Sequence, residues 1–183
     1  MGKAWRDCIV TLIDVSGTKK AADPATLMRR LHAMVASEKP KLSSIDHSYA
    51  WNDSVLLLSF VDRTGSYSLS MQDAETLKRR IDCYVAKSYA IAVKGQAFPP
   101  GIIGVQKGVT VIKASSWAMA NCFEVEQESR RRRWLKPWYV DIRIARQIQT
   151  SQGFEEMEVP SMLGAGGRRR PRKIRAYCGY LWN

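Results

Sequence analysis

Asp14 closes the apolar run CIVTLI, and Asp53 opens the run SVLLLSF just after the turn residue Asn52. Taken singly, a carboxylate at a strand end is ordinary turn chemistry. Two carboxylates brought side by side repel, however, and the arrangement persists cheaply only with a cation between them. Hard divalent ions such as Mg²⁺ or Mn²⁺ accept such oxygens and complete their shell with substrate phosphates. After Asp14 comes VSGTKK, in which Val15, Ser16, Gly17 and Thr18 are small enough to expose backbone N–H groups and Lys19 and Lys20 add charge. A loop of this kind can cradle a triphosphate. Two divalent ions there would activate an attacking oxygen and hold a leaving pyrophosphate.

The two aspartates meet only if the surrounding elements bring them together. DCIVTLIDVSG reads as a buried strand broken by Gly17, and DPATLMRRLHAMVASE as a helix with Asp23 as cap and Pro24 in its first turn. Residues Ser48–Trp51 and Val55–Val61 flank the tight turn Asn52–Asp53 as a strand pair. MQDAETLKRRIDCYVAKSYAIAV carries Ala74, Leu77, Ile81, Tyr84, Val85 and Ser88 at helical spacing and predicts one long helix, stopped by Pro99–Pro100–Gly101. GIIGVQKGVTVIK predicts further strand, WAMANCFEVEQESRR a helix, and WYVDIRIA an alternating strand. The order β-α-β-β-α-β is that of an α+β, ferredoxin-like sheet with helices on one face. In that topology the first strand lies beside the second arm of the central hairpin, which places Asp14 next to Asp53.

The 183 residues suit one domain, with a core over about 7–146 and an extension over about 147–183 that turns basic and ends in a strand-like IRAYCGYLW, expected at a sheet edge. Cys8, Cys83, Cys122 and Cys178 are scattered with no CxxC pair, so reduced core or half-buried thiols are expected rather than a metal site. His32 falls on a helix surface. The apolar runs are too short to span a bilayer, the opening MGKAWRDC lacks the apolar stretch of a signal peptide, and Arg6 spoils a myristoylation pattern. A cytoplasmic protein without membrane insertion is expected. The net charge of +12 attracts polyanions, and ten of the 29 basic residues fall in Arg130–Arg133 and Arg168–Arg175. The first cluster reads as a solvated helix end, the second as a flexible basic segment.

With these motifs in order, the chain resembles the class III nucleotidyl cyclases over roughly residues 7–146. DVSGT is similar to their first metal motif, with Thr18 in place of an aromatic, and NDSVLLLSF to their second, with Asn52 in place of glycine. GIIG resembles their RGGI-type strand, with Pro100 where a basic residue is frequent, and WAMANCFEVE resembles their helix ending in Leu–Glu. The resemblance implies two divalent ions held by Asp14, Val15 and Asp53, and a triphosphate on 15–18. It also implies a homodimer with sites at the interface, built head to tail so that Asp14 and Asp53 of one chain face Tyr49 of its partner. Four residues before the second aspartate, adenylyl cyclases keep a purine-reading lysine. Tyr49 there resembles instead the pyrimidine cyclases of bacterial Pycsar antiphage systems, and Lys113 stands where purine enzymes have a second base-reading acid. A phenol fills the room of a purine and can donate or accept toward a pyrimidine edge. The resemblance therefore implies UTP converted to 3′,5′-cyclic UMP and pyrophosphate, with a separate effector protein answering the product. The transition-state Asn and Arg of the family align with Ala120 and Glu124, so that pair is not matched; Asn121 is one residue off.

Three alternatives stay open at this stage. A cytidylate or purine cyclase keeps the same scaffold, as does an inactive cyclase-like sensor. An RNA-binding module driven by the arginine clusters also fits a ferredoxin-like fold, although neither GIIGVQKG nor SVLLLSFV contains the aromatic pattern of RRM strands.

Overall fold

Strand β1 (Arg6–Val15) is the spine of the molecule, buried from Cys8 to Val15. The structure, a computed structural model, describes residues 5–61, 67–98, 101–106, 109–113, 116–133, 136–150, 152–160 and 171–182, with backbone only over 101–106 and 109–113. Helix α1 (Pro24–Glu38) follows, its first turn capped by the Asp23 side chain, which accepts from the Thr26 N–H at 3.0 Å. The hairpin of β2 (His47–Trp51) and β3 (Ser54–Phe60) turns through Asn52 in the left-handed region, φ 49°. Helix α2 (Tyr67–Tyr84) precedes β4 (Ser88–Ala97), and β5 (Gly101–Gln106) and β6 (Val109–Lys113) pair as a separate hairpin. Then come α3 (Trp117–Arg131), β7 (Trp138–Asp141), the single turn α4 (Ile142–Ala145), β8 (Phe154–Val159) and β9 (Arg172–Tyr177).

Seven strands form one sheet in the order β2-β3-β1-β4-β7-β9-β8. β1 is antiparallel to β3, with Asp14 opposite Ser54, and antiparallel to β4 along its full length, from Arg6 opposite Ala97 to Val15 opposite Ser88. The pleat sends alternate residues to opposite faces. Ile9, Ile13 and Val15 pack with Leu31 and Val35 of α1 and Met71, Leu77 and Ile81 of α2. Cys8, Val10 and Leu12 pack with Ala118, Cys122 and Val125 of α3. Each fully buried side chain of this size contributes about 1.5–3 kcal/mol. Close approach of α3 depends on Gly95 of β4, where an added Cβ would meet the Ala118 Cβ at 2.8 Å. The outer edge belongs to β8, whose Glu155, Glu156 and Glu158 are exposed.

The mixed α+β fold expected from the sequence is present, with Asp14 at the end of β1 and Asp53 in the β2–β3 turn beside it, but several elements differ in detail. Helices cover both faces of the sheet, not one. The long helix predicted through residue 93 ends at Tyr84, and Ser88–Ala97 is β4, the strand that fills the core position expected for GIIGVQKGVTVIK. Asp82 marks the change, its Oδ1 accepting both the Ser88 N–H and the Ser88 Oγ–H at 2.7 Å. The strand predicted over WYVDIRIA stops at Asp141, which caps α4 by accepting the Arg143 N–H at 2.9 Å. IRAYCGYLW is not at the edge: β9 lies between β7 and β8. Cys8 and Cys122 are buried, Cys83 and Cys178 exposed, and none of the four is in a disulfide. Exposed His32 reaches the hairpin turn, its Nε2 3.1 Å from the Asn52 carbonyl oxygen. Among the described residues no helix is long and apolar enough to cross a membrane.

Candidate functional site

The loop after β1, the β2–β3 turn, the start of β4 and the end of α3 enclose a cavity of about 720 Å³. Asp14, Val15, Ser16, Gly17, Thr18 and Asp53, all expected from the sequence, line it together. The Val15 N–H donates to the Asp53 carbonyl at 2.9 Å, and the Ser16 N–H to the Lys87 carbonyl at 2.8 Å, so the loop is held between the turn and β4. Gly17 turns the chain with φ 78°, a conformation that L side chains adopt at a cost of about 1 kcal/mol or more. Thr18, buried beneath the loop, donates its hydroxyl to Asp53 Oδ2.

Asp14 is only 4% exposed. Its Oδ1 accepts from Ser54 Oγ at 2.6 Å and its Oδ2 from Arg130 Nη2 at 2.9 Å. Arg130 also pairs with Glu126 at 2.7 Å, and its Nε donates to the Tyr89 hydroxyl at 3.3 Å. Burial pushes the Tyr89 phenol far up, with the Asp14 charge adding to it, so Tyr89 keeps its proton and donates to Glu126. Around these acids stand Lys19, Lys20, Lys87, Arg130, Arg133 and Lys136 on the cavity wall. Six cations against Asp14 and Asp53 give the wall an excess of positive charge over a small acidic floor.

The donor set suits a hard divalent ion. Asp14, at the end of β1, and Asp53, in the β2–β3 turn, line one cavity, and the charge facing Asp14 is the Arg130 guanidinium. Among the described residues no group of three or more acidic, histidine or cysteine side chains forms a metal cluster, so substrate oxygens would have to complete any shell.

Arg130–Arg133 form the solvated helix end expected, all four exposed at and just beyond the end of α3, and they also make specific contacts. Arg130 turns to Asp14, Arg131 and Arg132 both bind Glu128, and Arg133 lines the cavity. Those two hydrogen-bonding arginines hold the Glu128 carboxyl down at about 2. Sequence reasoning missed Arg130, Tyr89 and Glu126; the arginine run was the available signal. Tyr49 does not line this cavity. It sits half-buried on β2, packed on the α3 side of the sheet, and burial pushes its phenol up. Asn121 faces a different cavity, and the Lys113 side chain lies outside the described residues.

Burial pushes the Glu126 carboxyl above the usual carboxylate range; Arg130 pulls it back and Asp14 pushes it up again. A carboxyl that holds its proton more tightly when folded supports the fold while protonated, and that support fades as pH rises through the raised value. Glu126→Gln, fixed in the neutral form, is therefore expected to melt higher than the native chain near pH 8 and alongside it near pH 4. Thermal denaturation followed by circular dichroism at both pH values checks this. An equal difference at both would assign the effect to packing.

No protein-family model matches the chain, and no curated protein matches it in sequence. Solved structures do match in shape. A bacterial light-regulated adenylyl cyclase superposes with a TM-score of 0.68 at 7% identity, covering 100% of this chain and 55% of the other. The adenylyl cyclase CyaB from P. aeruginosa gives 0.64 at 9% identity over 97% of this chain and 96% of that one. The guanylyl cyclase Cya2 gives 0.55 at 12% identity over 98% and 95%. This chain thus spans about half of the light-regulated enzyme and nearly all of the other two. At such identities the likeness is one of fold, the α+β fold that these adenylyl and guanylyl cyclase structures share.

Proposed function

We propose that this chain is a metal-dependent nucleotidyl cyclase whose substrate is a pyrimidine nucleoside triphosphate, UTP foremost. One observation carries the reading: Asp14, at the end of β1, and Asp53, in the β2–β3 turn, line one cavity walled by six cations. In the reaction the 3′-hydroxyl releases its proton and its oxygen bonds the α-phosphorus. The bond from that phosphorus to the bridging oxygen breaks, and pyrophosphate leaves. Two Mg²⁺ or Mn²⁺ ions, held by Asp14, Asp53 and the Val15 segment, would supply charge neutralisation and activation of the attacking oxygen. Residues Ser16, Gly17 and Thr18 would give the tail its backbone and hydroxyl donors, and Lys19, Lys20, Lys87 and Lys136 its counter-charge. Thr18 holds the Asp53 carboxylate in place. Arg130, freed from Asp14 once another cation faces that carboxylate, would turn to the phosphates and stabilise the charge that grows on the leaving group.

A homodimer fits the placement of Tyr49, which is outside the cavity of its own chain. We take it to read the base in the partner's cavity, with Lys113 near the same edge. By resemblance to the antiphage systems, the cyclic product would act on a separate effector. The adenylyl and guanylyl cyclases among the structural neighbours favour a second reading, a purine substrate, on the same machinery.

Incubating the chain with ATP, GTP, CTP and UTP in Mn²⁺ and separating the products tests both. Cyclic UMP as the main product is expected; purine products alone would select the second reading, and no product from any triphosphate would sink both. Tyr49→Ala is expected to lower the pyrimidine-to-purine ratio of kcat/KM by about tenfold, the loss of one good contact to the base. An unchanged ratio would remove Tyr49 from base selection.

A further inference from the structure

A second cavity, of about 420 Å³, opens at the far end of β1 and β4 from Asp14. Its wall includes Asp7, Lys94, Trp117, Asn121, Arg143 and Arg172. Asn121, 7% exposed, also faces the cavity. The Arg172 side chain is 15% exposed, and its buried Nε is without a partner. Buried polar groups are nearly always satisfied, so this orphan on the cavity wall calls for an occupant.

The chemistry of the wall describes that occupant. Lys94, Arg143 and Arg172 face one acid, Asp7, which already accepts from Gln96 Nε2 at 3.3 Å. Behind the wall, Asp141 takes Nε and Nη2 of Arg143 at 3.0 and 2.7 Å and Nη1 of Arg172 at 2.8 Å, presetting both guanidiniums. The remaining N–H groups of such guanidiniums suit phosphate oxygens. Trp117 leaves its indole 55% exposed on the same wall, an unusual loss of burial for so large a ring and a platform on which a base can stack. The carboxamide of Asn121 can both donate and accept, as a base edge or ribose hydroxyl requires. The volume lies at the small end of the range for ligand pockets.

We propose that this cavity binds a nucleoside monophosphate, open or cyclic, separately from the site at Asp14 and Asp53. Lys94, Arg143 and Arg172 take the phosphate, Trp117 takes the base, and Asn121 bonds the nucleoside. The proposal does not depend on cyclase activity.

Isothermal titration of the full chain with the four nucleoside 5′-monophosphates, their 3′,5′-cyclic forms and inorganic phosphate, without divalent ion, tests it. At least one nucleotide is expected to bind, with Trp117→Ala and Asn121→Leu each weakening it at least about tenfold, a stacked base or a pair of hydrogen bonds lost. Asp53→Ala is expected to leave that binding unchanged. Should Asn121→Leu not fold, Trp117→Ala, at an exposed position, decides alone. Absence of binding, binding lost in Asp53→Ala but kept in Trp117→Ala, or inorganic phosphate binding as tightly as the nucleotides would each overturn the assignment.

Discussion

Asp53→Ala is expected to lower cyclic nucleotide formation at least about a thousand-fold while leaving the fold intact, since loss of one electrostatic stabiliser alone costs 10²–10³. The residue stands in the β2–β3 turn, and the contact that ties this turn to β1 runs through its backbone, from the Val15 N–H to the Asp53 carbonyl. Alanine keeps that bond. What disappears is the carboxylate, and with it the acceptor of the Thr18 hydroxyl, at a stability cost of about 1 kcal/mol. Asp14 would then face the triphosphate as a lone carboxylate, too little charge to gather two divalent ions beside a tetra-anion. Product separation after incubation with UTP and Mn²⁺, alongside circular dichroism, checks both halves. Full turnover in the variant would show that the chemistry happens elsewhere.

The second large effect is expected at Arg130. This side chain is 59% exposed, yet it spans Asp14, Glu126 and the Tyr89 hydroxyl. If it turns to the phosphates during the reaction, Arg130→Ala lowers kcat by about a hundred-fold, the usual effect of removing one donor to developing charge, with a smaller change in KM. Arg130→Lys should recover part of the rate, because it restores the charge without the planar fork. The opposite result is informative. If Arg130 only blocks Asp14, its removal would raise activity, most visibly at low Mn²⁺, and the proposed role at the leaving group would fall. Arg130 stands in the last turn of α3, from which it reaches Asp14.

How far the sequence could be read follows from the range of the interactions involved. Asp14, Gly17 and Asp53 announce themselves locally, by a strand end, a glycine and an Asn–Asp turn, and the pairing of β1 with β3 brings them together as expected. Arg130 lies 116 residues from Asp14, and its reach depends on how closely α3 settles over β4. That distance is decided by Gly95 lying under Ala118, a contact no periodicity reveals. YAIAV was misread because a short apolar run satisfies both the helical and the extended period, and only the vacancy beside β1 chooses between them. The same limit explains the helices: the apolar stripes of α1, α2 and α3 show that each packs on the sheet, not on which side. Tyr49 is legible as a residue of β2, whereas its half-buried place on the α3 side of the sheet depends on packing across distant elements.

The glutamates along β8 have a consequence for the molecule in concentrated solution. An open sheet margin offers unpaired amide and carbonyl groups to any extended segment that drifts alongside, the first step toward fibrous aggregates. Glu155 and Glu156 are paired with Lys136 and Arg175, so exposed Glu158 is the charge that a second copy aligned there would meet as its like, which disfavours stacking of sheets along this margin.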